Sequence, residues 1–421
     1  MTMAENLFTP DILSEKPFME THGAPVDCAV SIITDRADEA AVKKGDAFAC
    51  EITERCVGDF DKDAAAVAAG IAESEDLMVH VSTFLVVGKE VFVTYYANNA
   101  NLNEDPNNLK ARLVWAPLDA PQDRHYIDIQ SSGAMLDGRK VEQIYDTVLM
   151  QKDADTLYVM WAAKIEGNYY RLYCPLGISD KTVGEIGVNR FRVGDVVNHL
   201  SVTGIKHALA ANGIPFKPLF VDTGMMQKVT SRVENGVTWY YTGMYNGNFN
   251  CIIKSTDFIT WEYVSSPDFV NDSEYENSVY VLGDKCYYCV RQLCRRGDFP
   301  GSKYAYLTAY DLTTGKWEKP VLVEDSQSRS DFICYRGELY LFHAPIDREH
   351  IGILHVNTED LSKTEILLQA KMHTGTAYPF VQYFRENELA MAYTLQHGTV
   401  RKHIRLAEFT LSMYTGDSNN M

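Results

Sequence analysis

The chain has 421 residues, 46% of them hydrophobic and 23% charged, with 25 Tyr and 18 Phe. That is ample apolar mass for a large core, and Tyr-rich, β-branched segments favour strands. A formal charge of −18 from scattered acids repels phosphate backbones and anionic lipid, which argues against nucleic acid and membrane as partners.

The first residues, "MTMAENLFTPDILSEKPF", have no basic stretch followed by an apolar one, so no secretory signal is expected. Nine Cys without a compact spacing suit reduced thiols and a cytoplasmic address. Cys286 and Cys289 differ by three on a probable strand, so they should point to opposite faces as buried thiols. Residues 1–77 form an N-terminal segment. One or both of its "VDCAVSIIT" and "DAFACEITERCVG" are expected to pair with the last repeat or to form a seventh, and its Ala-rich "DKDAAAVAAGIAESED" (61–76) predicts a helix.

From residue 78 to 411 one phrase recurs: an apolar strand, a short Gly- or Asp-containing turn, and an aromatic-rich strand. Copies stand at 80–98, 145–164, 226–246, 271–292, 328–345 and 378–397. Third and fourth strands follow several of them, as "FNCIIKST" and "TWEYVSS", "YAYLTAYD" and "KWEKPVLV", "IGILHVN" and "KTEILLQA". A single such sheet cannot bury both faces, so the sheets must pack on one another around an axis. The expected fold is therefore an all-β, six-bladed β-propeller of four-stranded antiparallel blades, with seven blades the alternative. Short helical insertions are expected too. One of them, "DVVNHLSVTGIKHALAANGI" (195–214), has helical spacing and an Asn-Gly stop. Residues 412–421 read as a flexible tail.

In such a blade the start of the first strand and the end of the second converge on one mouth of the ring. His80, Tyr96 and Asn98 should meet there with Asp146 and Lys164, and with Gln227, Lys228, Tyr245 and Asn246. Glu274, Glu276 and Arg291 should join them, together with Arg329, Asp331 and His343, and with His373, Tyr378, Gln396 and His397. A concave mouth carrying titratable groups is a ligand site by default. No metal or cofactor is expected. The four His have no tight ligand spacing, and neither GxGxxG nor GxxxxGK[ST] occurs.

At the opposite ends of the blades, "STDFITWE" (255–262) and "YDLTTGKWEKP" (310–320) look like degenerate Asp-boxes, in which an Asp caps a turn and a Trp packs between strands. With the carboxylate-hairpin-Arg pattern of 274–291, "SRSDF" (328–332) and "AYPFVQYFRENELAMAYT" (377–394), residues 225 to 411 resemble the sialidase superfamily of propellers. The resemblance implies that Tyr378 is the nucleophile and that Glu274 or Glu276 takes its proton, because a phenol needs a base to attack at neutral pH. It implies that Arg291 and Arg329 grip a substrate carboxylate. It also implies an acid/base Asp early in the chain, for which Asp105 and Asp146 are available. The family's first-blade arginine has no counterpart, since His80 stands there.

Three functions fit these residues. The first is an intracellular glycoside hydrolase acting on small, acidic oligosaccharides. The second is a lyase cleaving uronic-acid glycans, with Tyr378 or a base drawn from His80, His343, His373 and His397. The third is a non-catalytic glycan-binding propeller.

Overall fold

The computed structural model describes residues 31–33, 48–59 and 78–413, apart from 102, 121–122, 124, 216–223, 226–227, 247–248, 268–273, 293–303, 325, 327, 346–349, 372–375, 387 and 398–399. The helix expected at 61–76, most of the tail, Gln227 and His373 lie outside the described residues. So do the side chains of Glu274, Asn246, Gln396 and His397.

Each of the six repeated phrases is an antiparallel hairpin that opens its own sheet. Sheet I starts with Met78–Val87 and Glu90–Asn98, sheet II with Arg139–Gln151 and Thr156–Ile165, and sheet III with Thr230–Glu234 and Val237–Asn246. Sheet IV starts with Glu274–Leu282 and Lys285–Gln292, sheet V with Asp331–Tyr335 and Glu338–His343, and sheet VI with Thr376–Arg385 and Glu388–His397. Among the described residues the fold is an all-β propeller with five blades evident, against the six expected. No helix among the described residues is long and apolar enough to cross a membrane.

Strand position explains the sequence pattern. Second strands such as Glu90–Asn98 and Thr156–Ile165 are buried almost throughout, because each face packs on a neighbouring sheet. Their sequences therefore read as continuous apolar runs. Outlying strands such as Arg190–Val193 alternate exposed and buried residues. The apolar core consequently lies in layers between sheets. Trp161 of sheet II packs with Phe92 and Leu113 of sheet I. Cys286 and Cys289 fall in different layers, facing sheets III and V respectively, and both are free thiols.

Two N-terminal strands complete the arrangement. Phe48–Asp59 pairs antiparallel with Val400–Met413 and becomes the outer strand of sheet VI, so an expected ring-closing segment does join the last repeat. Ser31–Ile33 instead pairs in parallel with Val321–Glu324 of sheet IV. The helix expected over 195–214 is shorter, Val202–Ala211. Its first half is a strand, Val196–His199, whose backbone is claimed by Arg190–Val193. Ser201 caps the helix by accepting from the Gly204 amide, and it ends at Asn212-Gly213 as the sequence predicts.

At the far ends of the blades, Asp257 Oδ1 accepts from the Ile259 and Thr260 amides at 2.8 Å each, and Trp261 is fully buried. Asp311 likewise caps the Thr313 and Thr314 amides, at 2.8 and 2.9 Å.

Candidate active site

The site begins with a backbone irregularity shared by four sheets. The first strand breaks register between His80 and Thr83, Tyr145 and Val148, Glu274 and Asn277, and Ala377 and Phe380. In each place two residues oppose one, a β-bulge, which bends the strand and re-aims a side chain. Val81, Asp146 and Tyr378 sit at these bulges with φ of 51°, 46° and 59°. For a valine or a tyrosine that region is sterically disfavoured by roughly 1–3 kcal/mol. The neighbouring sheet holds the distortion. The Val81 amide donates to Thr394 Oγ1 of sheet VI at 3.2 Å, and the Tyr378 amide donates to Ser328 Oγ, ahead of sheet V, at 2.9 Å.

The bulges surround a cavity of about 340 Å³. Sheet I contributes Val81 and Tyr96, sheet II contributes Tyr145, Asp146, Ala162 and Tyr169, and sheet III contributes Tyr245. Glu276 comes from sheet IV, Tyr378 from sheet VI and Glu104 from the loop after Asn98. The wall thus presents five phenols and three carboxylates.

Behind the wall runs a chain of charges. Arg291 Nη1 donates to Glu276 Oε2 at 2.6 Å and to the Tyr378 hydroxyl oxygen at 3.3 Å. Arg329, 1% exposed, places Nε 3.3 Å from Glu276 Oε1 and donates from Nη2 to Asp146 Oδ1 at 2.7 Å. The Tyr245 hydroxyl donates to Asp146 Oδ2 at 2.5 Å and accepts from Arg329 Nη2 at 3.3 Å. The Arg329 guanidinium also lies 5.3 Å from the Tyr378 ring centre. Burial pulls the Arg329 pKa down, but the Asp146 and Glu276 carboxylates outweigh it and carry the pKa well above the ordinary arginine value. Arg171, fully buried in the third strand of sheet II, donates to the Asp146 carbonyl at 3.0 Å. Burial lowers its pKa to about 10, against the pull of Asp146.

The expected convergence therefore gathers Tyr378, Glu276, Asp146, Tyr245, Arg291 and Arg329 from five repeats. Several expected site residues stand elsewhere. His80 is sealed behind Val81, 1% exposed, with Nδ1 3.0 Å from Thr394 Oγ1 and its ring edge-on to Tyr378 at 4.4 Å. It supports the tyrosine and does not line the cavity. His343 is fully buried against the Gly352 backbone, where an added Cβ would stand 2.1 Å from Nε2, and it is also absent from the wall. Lys164 is half-buried at the edge, 3.8 Å from Glu142 and 5.8 Å from the Tyr169 ring centre. Asn98 holds the following loop through the Asn103 carbonyl at 2.8 Å. Lys228 and Asp331 pair with each other at 3.0 Å, away from the wall. Asp105 caps the turn Pro106–Asn108, and the Asn107 amide above all holds its carboxyl below the usual range. The early-loop carboxylate on the wall is its neighbour Glu104, which accepts from the Tyr96 hydroxyl at 2.5 Å.

Sequence reasoning missed Arg171, Tyr145, Tyr169 and Glu104. The strand-end rule looked only at first and second strands, whereas Arg171 and Tyr169 open a third strand and Glu104 lies in a loop; Tyr145 is on a first strand beside Asp146, at the bulge the rule did not foresee.

No known family profile matches the chain, and no curated protein is similar to it in sequence. Solved structures are similar in shape. A Trypanosoma rangeli sialidase in complex with sialic acid aligns at TM-score 0.51 and 11% identity, over 82% of this chain and 55% of that one. A Hadza microbial sialidase aligns at TM-score 0.53 and 10% identity, over 86% and 68%. A Dyadobacter fermentans protein of unknown function aligns at TM-score 0.53 and 13% identity, over 85% and 99%. This chain spans only about half the length of the trypanosomal enzyme. At such identities the likeness concerns the fold alone, and in fold the chain is a sialidase-like β-propeller.

Proposed function

We propose that this protein is a glycoside hydrolase acting on small oligosaccharides in the 340 Å³ cavity, with Tyr378 as nucleophile and Glu276 as its base. The observation that carries the reading is Tyr378 itself. A tyrosine held at φ 59°, with its hydroxyl oxygen on a guanidinium and its ring on the cavity wall, is strained at a place where strain has a use.

The chemistry follows from the hydrogen-bond directions. Arg291 donates to the phenol oxygen, so the phenolic proton points elsewhere, and negative charge developing on that oxygen meets a fixed cation. Glu276 hangs on the same Arg291 Nη1 and is the described carboxylate of the 274/276 pair that faces the cavity. It receives the phenolic proton as the phenol oxygen bonds to the anomeric carbon and the glycosidic C–O bond breaks. The bonding pair leaves with the aglycone oxygen, which takes a proton from water. A water then displaces the Tyr378 oxygen from the anomeric carbon, and Glu276 returns the proton to the phenol. Both Asp146 oxygens already accept, from Arg329 and from Tyr245, so Asp146 positions those two groups. We take all six sheets as blades, because each contributes to this cluster: Val81, Asp146, Tyr245, Glu276, Arg329 and Tyr378 come from sheets I to VI in turn or lie directly ahead of them.

Of the bases offered for the elimination alternative, Tyr378 lines the cavity, His80 and His343 are not among its lining residues, and His373 and the His397 side chain lie outside the described residues. A panel of aryl glycosides, whose leaving groups need no acid, tests the proposal. Release of the aryl alcohol by the wild type and its loss in Tyr378→Phe are expected. Tight sugar binding with no release of any aglycone points to a binding module. An unsaturated uronate product points to a lyase.

A further inference from the structure

We infer that the cavity holds a second subsite, over sheet II, where the departing half of the substrate lies as a pyranose ring on Tyr145. The inference rests on the glycosidase reading and names the leaving group. Eight of the ten wall residues are at most 9% exposed, and the two that are half-buried are Tyr145 and Glu104. Among the described residues the wall is therefore most open beside sheets I and II, while Tyr378 and Glu276 stand at its sealed side. Displacement at the anomeric carbon sends the leaving group away from the attacking oxygen. Tyr378 attacks from the sealed side, so the aglycone is directed toward Tyr145. Sheet I packs against both of the sheets that carry these tyrosines and contributes Val81 and Tyr96 between them, which is the place of the first ring.

Local packing makes Tyr145 a platform. Its partner across the ladder is Ala162, a wall residue too small to cover an aromatic ring. The Tyr96 ring stands 6.0 Å from it at 85°, and the Tyr169 ring 6.3 Å from it at 45°. Both neighbours are fastened through their hydroxyls, Tyr96 to Glu104 at 2.5 Å and Tyr169 to Gln143. The three phenols therefore form a stiff shelf beside Ala162. A pyranose has a face of C–H bonds and a rim of hydroxyls. Its C–H face suits the aromatic shelf, and its rim can exchange hydrogen bonds with the Glu104 carboxylate at the opening. An acyclic polyol has similar hydroxyls, but it has no such face and loses more rotational freedom on binding.

The test is calorimetric titration with non-hydrolysable thioglycosides. Glucose, galactose, mannose, N-acetylglucosamine, glucuronic acid and sialic acid each serve as the first ring, with a methyl, a glyceryl or a glucosyl group on the sulfur. For the first ring that binds best, the glucosyl form is expected to bind at least about tenfold tighter than the methyl and glyceryl forms. Tyr145→Ala is expected to lower that ratio about tenfold, and Tyr145→Phe to preserve it. If Tyr145→Ala does not fold, Tyr145→Leu, which keeps bulk without a ring, is read in the same way. The inference is overturned if the glucosyl form binds no tighter than the glyceryl form, if its advantage survives the loss of the Tyr145 ring, or if no compound binds. A Tyr145-dependent advantage with no hydrolysis of any O-linked counterpart sinks the hydrolase reading and leaves the platform standing. Hydrolysis of an O-glycoside whose second ring brings no advantage does the reverse.

Discussion

Two buried ion-pair systems join sheets across the ring, and they differ in their surroundings. Arg329, ahead of sheet V, ties Asp146 of sheet II to Glu276 of sheet IV. Lys228, ahead of sheet III, pairs with Asp331 of sheet V at 3.0 Å and donates to the Phe332 carbonyl at 2.7 Å and to the Val381 carbonyl of sheet VI. Both sets of groups are nearly sealed from solvent. Only the Arg329 system borders a cavity of phenols and a bulge with tyrosine at positive φ. In the Lys228 pair the Val381 amide donates to Asp331 Oδ2 at 2.7 Å, and Lys228 borders only a smaller, more apolar cavity of about 130 Å³ with Phe380 and Leu149. Buried charge by itself therefore marks cohesion between blades, and access together with backbone strain marks chemistry.

The largest test of this contrast is Tyr378→Phe. It is expected to lower kcat by at least roughly a thousandfold while leaving the melting temperature and sugar affinity near wild type, measured by steady-state kinetics and calorimetry. Glu276→Gln should cost about 10²- to 10⁴-fold in kcat, the usual range for a lost proton acceptor. A variant that keeps full turnover would remove Glu276 from the mechanism.

On the other side of the comparison, Lys228→Met should destabilise the fold by about 3–5 kcal/mol, because it strands a buried carboxylate. The kcat of the folded protein should stay unchanged. Adding Asp331→Leu should restore much of the loss in denaturant titrations, and a double variant no more stable than the single would contradict that view of the pair.

The pH dependence has a definite sign. Burial raises the Asp331 pKa from 3.8 to about 6, although Lys228 opposes it. The folded state then holds a proton that the unfolded state has lost between those values. Wild-type stability relative to Asp331→Asn should fall as pH rises through that window and level off above it. A difference that rises with pH there would mean that the ion pair lowers the carboxyl pKa instead.

The smallest effect is expected farthest from the cavity. Asp257→Ala removes a turn cap worth about 1 kcal/mol and should leave kinetics untouched.

Much of this architecture is legible in the sequence, for physical reasons. Fully buried second strands such as "EVFVTYYAN" announce themselves as apolar runs, and hairpin ends must meet at a common mouth, so Tyr378, Glu276, Arg291 and Arg329 could be gathered from three repeats. The bulges were not legible. Val81, Asp146 and Tyr378 carry none of the glycine that usually signals positive φ, because hydroxyls on the adjoining sheets hold Val81 and Tyr378 in place. Missing the bulges put His80 on the wall in place of Val81. Depth along the axis was equally hidden, so Lys228, Asp331 and His343 were placed beside the ligand when they are packed between sheets. That Glu276 and Asp146 engage Arg291 and Arg329, at 2.6 and 2.7 Å, was likewise not legible in the sequence.

The most direct measurement is covalent trapping with a fluorinated glycosyl fluoride of whichever sugar the aryl-glycoside panel selects, followed by peptide mass spectrometry. The account predicts one glycosyl unit on the peptide containing Tyr378 and none in Tyr378→Phe. A label on a carboxylate, or undiminished turnover without the Tyr378 hydroxyl, would contradict it.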